Sequence, residues 1–283
     1  MSKKVSIITP CLNGEKFIGR YFESILNQIY TSIELIFIND GSTDNTEKTI
    51  QSYVPKLKEK NIKFIYIYKE NEGQAAAIND GLKLFTGDYL IWPDSDDILD
   101  KYSICKRVDF LEKNKEYGIV RSNGAIVNEN NINDIKQYFA MNQKSKTKEY
   151  IFENLIREYN IWIACGCYMI RTEAFLDVNP NREIYKDTRG GQNWQMLLPV
   201  TYKYKCGYID ESLYTYVVRK SSHSHKPKDI YGLLEECDSH EDILINTINR
   251  INMSKDERAR YTKIIKKKYI EKRIRLKKTY NIL

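Results

Sequence analysis

Apolar and polar positions change rhythm repeatedly over the first hundred residues. Val5–Cys11 is a short β-branched run. Phe17, Ile18, Tyr21, Phe22, Ile25, Leu26 and Ile29 then recur at helical spacing, which predicts a helix over Phe17–Ile29. Glu34–Asn39 reads as a second strand, and the turn Asp40-Gly-Ser-Thr-Asp44 leads into a helix reaching about Lys60. Lys63–Tyr68 is a third strand, Gln74–Phe85 a helix and Asp88–Trp92 a fourth strand. Such alternation predicts an α/β fold with a mostly parallel sheet and helices on both faces. Ligands of such sheets gather beyond the carboxyl ends of the strands. Three of those ends carry polar, turn-forming residues, at Thr9–Gly14, Asn39–Asp44 and Asp94–Asp97, so all three are expected on one rim.

The alternation weakens further on. A helix is predicted over Asp100–Asn114 and a strand over Gly118–Asn128. A polar excursion follows at Asn130–Lys148, then a helix over Tyr150–Tyr159. Trp162–Arg171 reads as strand, Gln192–Tyr204 as helix and Cys206–Arg219 as strand. From about Asp229 the pattern is helical to the end. These shifts divide the chain into 1–117, 118–226 as the second half of the same domain, and a helical extension over 227–283.

At 283 residues the chain suits one large domain or a domain with an appendage. No apolar run approaches a membrane span, and a strand pattern begins at once where a signal peptide would place its apolar region. The six cysteines follow no metal-site spacing and read as core thiols in a reducing cytoplasm. The net charge of +7 is uneven: Lys255–Leu283 holds twelve Lys/Arg and three Asp/Glu, a net of +9, which leaves −2 for the rest. A charge confined to the tail, without a recognition fold, argues against nucleic acid as a partner.

The stretch Leu90-Ile-Trp-Pro-Asp-Ser-Asp-Asp-Ile-Leu99 brings three carboxylates directly after large apolar residues. Crowded carboxylates repel and resist desolvation, so the cluster either stands in open solvent or holds a cation. A calcium loop opened by Asp94 would need an oxygen ligand at its fifth position and a glutamate at its twelfth, where Ile98 and Cys105 stand. Capping the next helix would occupy Asp97 or Asp100 alone. Oxygen ligands of this kind suit Mg²⁺ or Mn²⁺, which share their remaining positions with waters and substrate phosphates. P-loop, G-x-G-x-x-G and H-E-x-x-H patterns are absent from the sequence.

Four segments in order, VSIITPCLNG, IELIFINDGSTDNT, NEGQAAAINDGLKLFTGDYLIWPDSDD and YTYVVRKSSHSH, resemble the family-2 glycosyltransferases, which have a GT-A fold. The resemblance runs from Val5 to about His225. It implies a nucleotide-sugar donor whose base is cupped by Thr9, Pro10 and Asn13, with Asp40 on the base edge and Asn71 facing it. It places Gln74, Asp94 and Ser95 with the donor-binding residues, Asp94 near the ribose and Asp96 on the metal ion. Asp97 would lie behind them. His225, or else His223, matches the histidine that often completes the metal site, against the alternative of a solvated polar loop.

Two departures from the family pattern stand out. Many relatives carry an arginine, able to pair with the pyrophosphate, where this chain has Ile78; Gln74 in the GQ…AIN pattern, with the later QNWQ segment, resembles a branch of the family that also lacks it. The acidic pair that supplies their catalytic base is Gln192-Asn193 here, and an amide cannot act as a general base near neutral pH. Three readings remain: Asp187 serves as base, the acceptor brings its own ionised group while Gln192 and Asn193 orient it, or the chain binds without turnover. Polar residues satisfying free N–H groups at a helix start would account for the pair without chemistry.

The expected activity is metal-dependent, inverting transfer of a hexose or N-acetylhexosamine from a UDP-sugar. The acceptor would be a hydroxyl of a cell-surface glycan or lipid-linked saccharide. Trp162, Trp194 and Tyr214 are candidates either for stacking on that acceptor or for core packing. The basic tail reads as a packed surface helix with a solvated face, or as a peripheral anchor on the anionic inner face of the plasma membrane. A rival from another class is a GT-A module that binds nucleotide sugar or glycan and has lost catalysis.

Overall fold

Val5–Cys11 (β1) and Ile33–Asp40 (β2) are buried at every position, as befits strands covered on both faces. The computed structural model describes residues 2–140, 146–186, 191–219, 228–280 and 282. It pairs β1 in parallel with β2 and with Tyr89–Ile91 (β4), and β2 in parallel with Lys63–Lys69 (β3). The intervening helices are Ile18–Leu26 (α1), Thr46–Glu59 (α2) and Gln74–Leu84 (α3). They divide between the two faces. Phe37 stacks on Phe22 of α1 with ring centroids 5.1 Å apart, whereas its neighbour Ile38 meets α3 at Gly81. Glycine is needed there, because a Cβ would lie 2.4 Å from Ile8 Cγ2.

The chain continues through Ile98–Leu99 (β5), Ser103–Lys113 (α4), Tyr117–Asn128 (β6) and Asn131–Tyr138 (β7). Phe152–Arg157 (α5), Tyr168–Arg171 (β8), Thr172–Val178 (α6), Gln192–Lys203 (α7) and Lys205–Val218 (β9) follow. One sheet takes in all of these strands, in the order β3-β2-β1-β4-β8-β6-β9-β5 with β7 on β6. The strands β1, β2, β3, β4, β6 and β9 run the same way, while β5, β7 and β8 oppose them. The carboxyl end of β9 therefore emerges on the same rim as those of β1, β2 and β4.

A buried carboxylate cross-links the opposite end. Glu34 in β2 accepts from Ser6 Oγ of β1 (2.7 Å), Lys63 Nζ of β3 (2.6 Å), and both the N–H and the hydroxyl of Thr86 before β4 (2.8 and 2.9 Å).

Several elements differ from the sequence reading, among them β5 and α6, which it did not contain. The polar excursion at Asn130–Lys148 contains β7, an edge strand exposed at every position, so no alternation announces it. The strand expected over Trp162–Arg171 is confined to β8. Cys165–Cys167 instead winds one 3₁₀ turn, with Gly166 against the ring of Tyr214. The tail is two helices, Ile230–Arg250 (α8) and Lys255–Thr279 (α9), because Ser254 and Glu257 form a reciprocal capping box that starts α9 afresh. Helix α9 folds back along α8: Arg258 reaches the Ile248 carbonyl at 2.9 Å and Arg273 reaches Asp238 at 2.9 Å. No helix among the described residues is long and apolar enough to cross a membrane.

Candidate active site

The loops after β1 and β2 are laced into one wall. Asn13 sits at φ +51, donates its N–H to Ser42 Oγ at 2.9 Å and accepts from the Thr43 N–H at 2.8 Å. Gly14 donates to Thr46 Oγ1 at 2.7 Å and Glu15 to Asp44 at 3.1 Å. Asp40 is buried where β2 ends and accepts the N–H groups of Glu72 and Gly73 at 3.1 and 3.0 Å. Asn71 lies alongside, since a Cβ on Gly41 would be 2.7 Å from its nitrogen. Asn13, Asp40 and Asn71 thus stand on adjoining loops at one end of the sheet, joined through Gly41–Thr43. Pro10 is buried, and Thr9 turns its hydroxyl inward to Tyr21.

The acidic run follows β4 onto the same rim. Asp94 accepts from Gln74 Nε2 at 2.8 Å and from Cys165 Sγ at 3.2 Å. Burial first, then the charge of Asp96, raises its carboxyl to about 6. Asp96 accepts from Arg219 through Nε, at 2.9 Å, and Nη2, while its backbone carbonyl accepts from Arg20 Nη2 at 2.7 Å. Asp97 is buried behind them, bonded to the Tyr214 hydroxyl and to the Val217 N–H at 2.7 Å. Burial and the charges of Asp96 and Asp94 push its carboxyl well up. Ser95 is buried and bonded to Cys11.

These residues fit a divalent cation. Burial and the neighbouring charge of Asp96 make Asp94 and Asp97 resist ionisation, which a dication on Asp94 and Asp96 would relieve with the hard oxygen ligands that Mg²⁺ and Mn²⁺ prefer. Among the described residues no His, Cys, Asp or Glu trio could hold a metal by itself, so further ligands would come from water and donor phosphates.

The amide pair opens α7. Gln192 is buried. Asn193 accepts from Trp92 Nε1 at 2.9 Å and donates to the Ile163 carbonyl at 3.3 Å, so it braces the residue two before Asp94. Asp187, His223 and His225 lie outside the described residues. The aromatic candidates resolve as core: Trp162 and Trp194 are buried, and Tyr214 is committed to Asp97. Sequence reasoning missed Arg20, Cys165 and Arg219. Only Arg219 had a usable signal, as the first residue after a strand that ends on the same rim.

A family model described as Glycosyl transferase family 2 matches residues 6–178, more than half of the chain. GlyA, a glycosyltransferase of Streptococcus pneumoniae serotype 4, is 28% identical over 229 residues, covering 77% of this chain and 31% of GlyA. The chain spans less than half the length of the curated relatives it matches. Residues 1–349 of S. aureus TarS, solved with UDP-GlcNAc, superimpose with a TM-score of 0.70 at 17% identity, covering 95% of this chain and 73% of that one. The mannosyltransferase PcManGT of Pyrobaculum calidifontis, solved with GDP-Man and Mn²⁺, gives 0.58 at 14% identity, covering 88% and 64%. At these identities the likeness establishes the fold, which is GT-A. By its sequence, the chain belongs to glycosyl transferase family 2.

Proposed function

We propose that the protein is a metal-dependent, inverting glycosyltransferase that moves a hexose or N-acetylhexosamine from a UDP-sugar to a hydroxyl of a cell-surface glycan or lipid-linked saccharide. The observation that carries this reading is the delivery of Asp94 and Asp96 to the rim that Asn13, Asp40 and Asn71 also border. Solved GT-A neighbours that hold UDP-GlcNAc, and GDP-Man with Mn²⁺, support the class of donor and the divalent ion.

Asn13, Asp40 and Asn71 would hold the nucleoside, while Asp94, braced by Gln74, would face the ribose. Asp94 and Asp96 would hold Mn²⁺ or Mg²⁺, which when bound supplies positive charge to the leaving diphosphate. As the acceptor oxygen bonds to the sugar C1, the C1–phosphate oxygen bond breaks and the hydroxyl proton must be taken up. The amide of Asn193 is engaged at both ends and cannot take it. Asp187 is assigned that proton, with an ionised group on the acceptor as the alternative.

The same bridging amide favours a second reading, a module that binds the donor without turning it over. Binding and hydrolysis of UDP-, GDP- and dTDP-sugars, with and without Mn²⁺, separates the two in wild type, Asp96→Ala and Asp187→Asn. Metal-dependent turnover of a UDP-sugar that Asp187→Asn abolishes while sparing binding supports the transferase and its base. Binding with no turnover, whatever acceptor is offered, supports the module.

The basic α9 suits peripheral contact with an anionic membrane surface. Lys263, Lys266 and Lys267 flank Ile270 and Ile274 on its solvent side, and these isoleucines are 54% and 43% exposed.

A further inference from the structure

Two guanidinium groups converge on Asp96, and only one of them meets its charge. Arg20, inside α1, bonds the backbone carbonyl through Nε and Nη2 at 3.2 and 2.7 Å and so fixes the turn. Arg219, just past β9, sets both Nε and Nη2 on the single carboxylate oxygen Oδ2. Its guanidinium carbon lies 4.0 Å from the centre of the Phe17 ring, a cation–π platform that holds it in place. The pair is largely out of water, with side chains 14% and 19% exposed.

That oxygen belongs to the carboxylate assigned above to the divalent ion. A guanidinium and a dication compete for the same lone pairs and repel each other at contact distance. A metal ion on that oxygen would therefore have to displace Arg219. Charge balance gives the displaced group a destination. Asp94 and Asp96 together neutralise a dication, so a donor diphosphate would arrive with its own negative charge unmatched. Ile78, one turn after Gln74 in α3, is apolar and buried and supplies none of it.

We propose that Arg219 is a built-in competitor for the cation at Asp96 that, when donor binds, exchanges the carboxylate for the diphosphate, so that metal and nucleotide bind as a coupled pair. The proposal rests on the metal-dependent reading of the site. It makes the resting protein a poor metal binder and the nucleotide the condition for tight metal binding, a coupling that is reciprocal by linkage.

The test measures Mn²⁺ affinity by the spin-resonance signal of the free ion, with and without UDP, in wild type, Arg219→Gln and Asp96→Ala. Removing the competitor is expected to tighten binding of Mn²⁺ alone about 3–10-fold and to weaken UDP about tenfold at saturating Mn²⁺. The factor by which UDP sharpens Mn²⁺ affinity then falls at least about tenfold. Phe17→Leu, which removes the platform and keeps the charge, is expected to tighten Mn²⁺ alone by a smaller factor. Equal or weaker binding of Mn²⁺ alone by Arg219→Gln overturns the inference. Mn²⁺ binding that is lost in Asp96→Ala yet indifferent to Arg219 sinks this inference and leaves the metal site standing. Absence of Mn²⁺ binding in every protein, even with UDP, removes both.

Discussion

Trp92 Nε1 donates to Asn193 Oδ1 at 2.9 Å, tying the end of β4 to the start of α7 directly behind the acidic turn. An aspartate at 193 could still accept from Trp92 but could not donate to the Ile163 carbonyl, as the amide does at 3.3 Å. The amide therefore has a structural role that an acid would fill only in part. Asn193→Ala strands a buried indole N–H and is expected to cost about 1–3 kcal/mol. In a Trp92→Phe background, where no N–H is left to strand, most of that cost should vanish. Urea denaturation of the four proteins measures the coupling, and additive losses would show that the bond carries little.

Asp40 has a double duty that a substitution can separate. Its carboxylate accepts two backbone N–H groups from the Glu72–Gly73 turn, and Asn offers only one oxygen in that place. Asp40→Asn is expected to lose about 1–3 kcal/mol of stability. UDP affinity should fall by tenfold or more, because the same turn carries Asn71 to its place beside Gly41. Thermal melts paired with a UDP titration read both. If stability falls while UDP affinity holds, Asp40 supports the loop and does not meet the base.

The sequence exposed those parts of the fold and site whose residues obey a periodic or local rule. β1 and β2 are apolar runs because helices cover both their faces, and the three polar strand ends do meet on one rim. Strand β7 was illegible because it sits on a sheet edge in solvent, where nothing enforces alternation. Cys165–Cys167 looked like strand because its residues are buried, yet burial there comes from Gly166 packing on Tyr214. The break between α8 and α9 was written as Ser254-x-x-Glu257 but was masked by continuous helical composition on both sides. Contacts between distant segments, such as Cys165 with Asp94 or Arg219 with Asp96, depend on strand order, and spacing along one chain does not reveal that order.

Glu34 makes the first four strands sensitive to acid. Burial alone would raise its carboxyl, but Lys63, the Ser6 hydroxyl and both donors of Thr86 together hold it below the ordinary glutamate value. A depressed folded value means that the contribution is complete above the unfolded value of about 4.5 and is lost as pH falls through the folded one. Glu34→Gln is expected to be less stable than wild type by about 1.5–3 kcal/mol at pH 7. That gap should narrow below pH 4.5, as wild type takes up the proton that the variant never binds. Urea midpoints at neutral and acid pH report it. A gap that stays constant with pH would mean that packing, not charge, is what Glu34 provides.

The solvent face of α9 offers the last test. Lys263, Lys266 and Lys267 recur with Ala259, Ile270 and Ile274 at helical spacing, so cations flank a narrow apolar strip on the side away from Ile265 and Tyr269. Each basic residue near an anionic surface contributes about 1 kcal/mol, so replacing all three with glutamate removes about 3 kcal/mol of attraction and adds repulsion. Partitioning onto phosphatidylserine vesicles should then fall by about a hundredfold or more, most clearly at low salt, where screening is weakest. The melting temperature should hold, because all three side chains stand in solvent. Cosedimentation on vesicles with and without phosphatidylserine separates the outcomes. Equal sedimentation of wild type and variant, or no preference of wild type for anionic vesicles, would leave the strip as a solvated helix face with no lipid to meet.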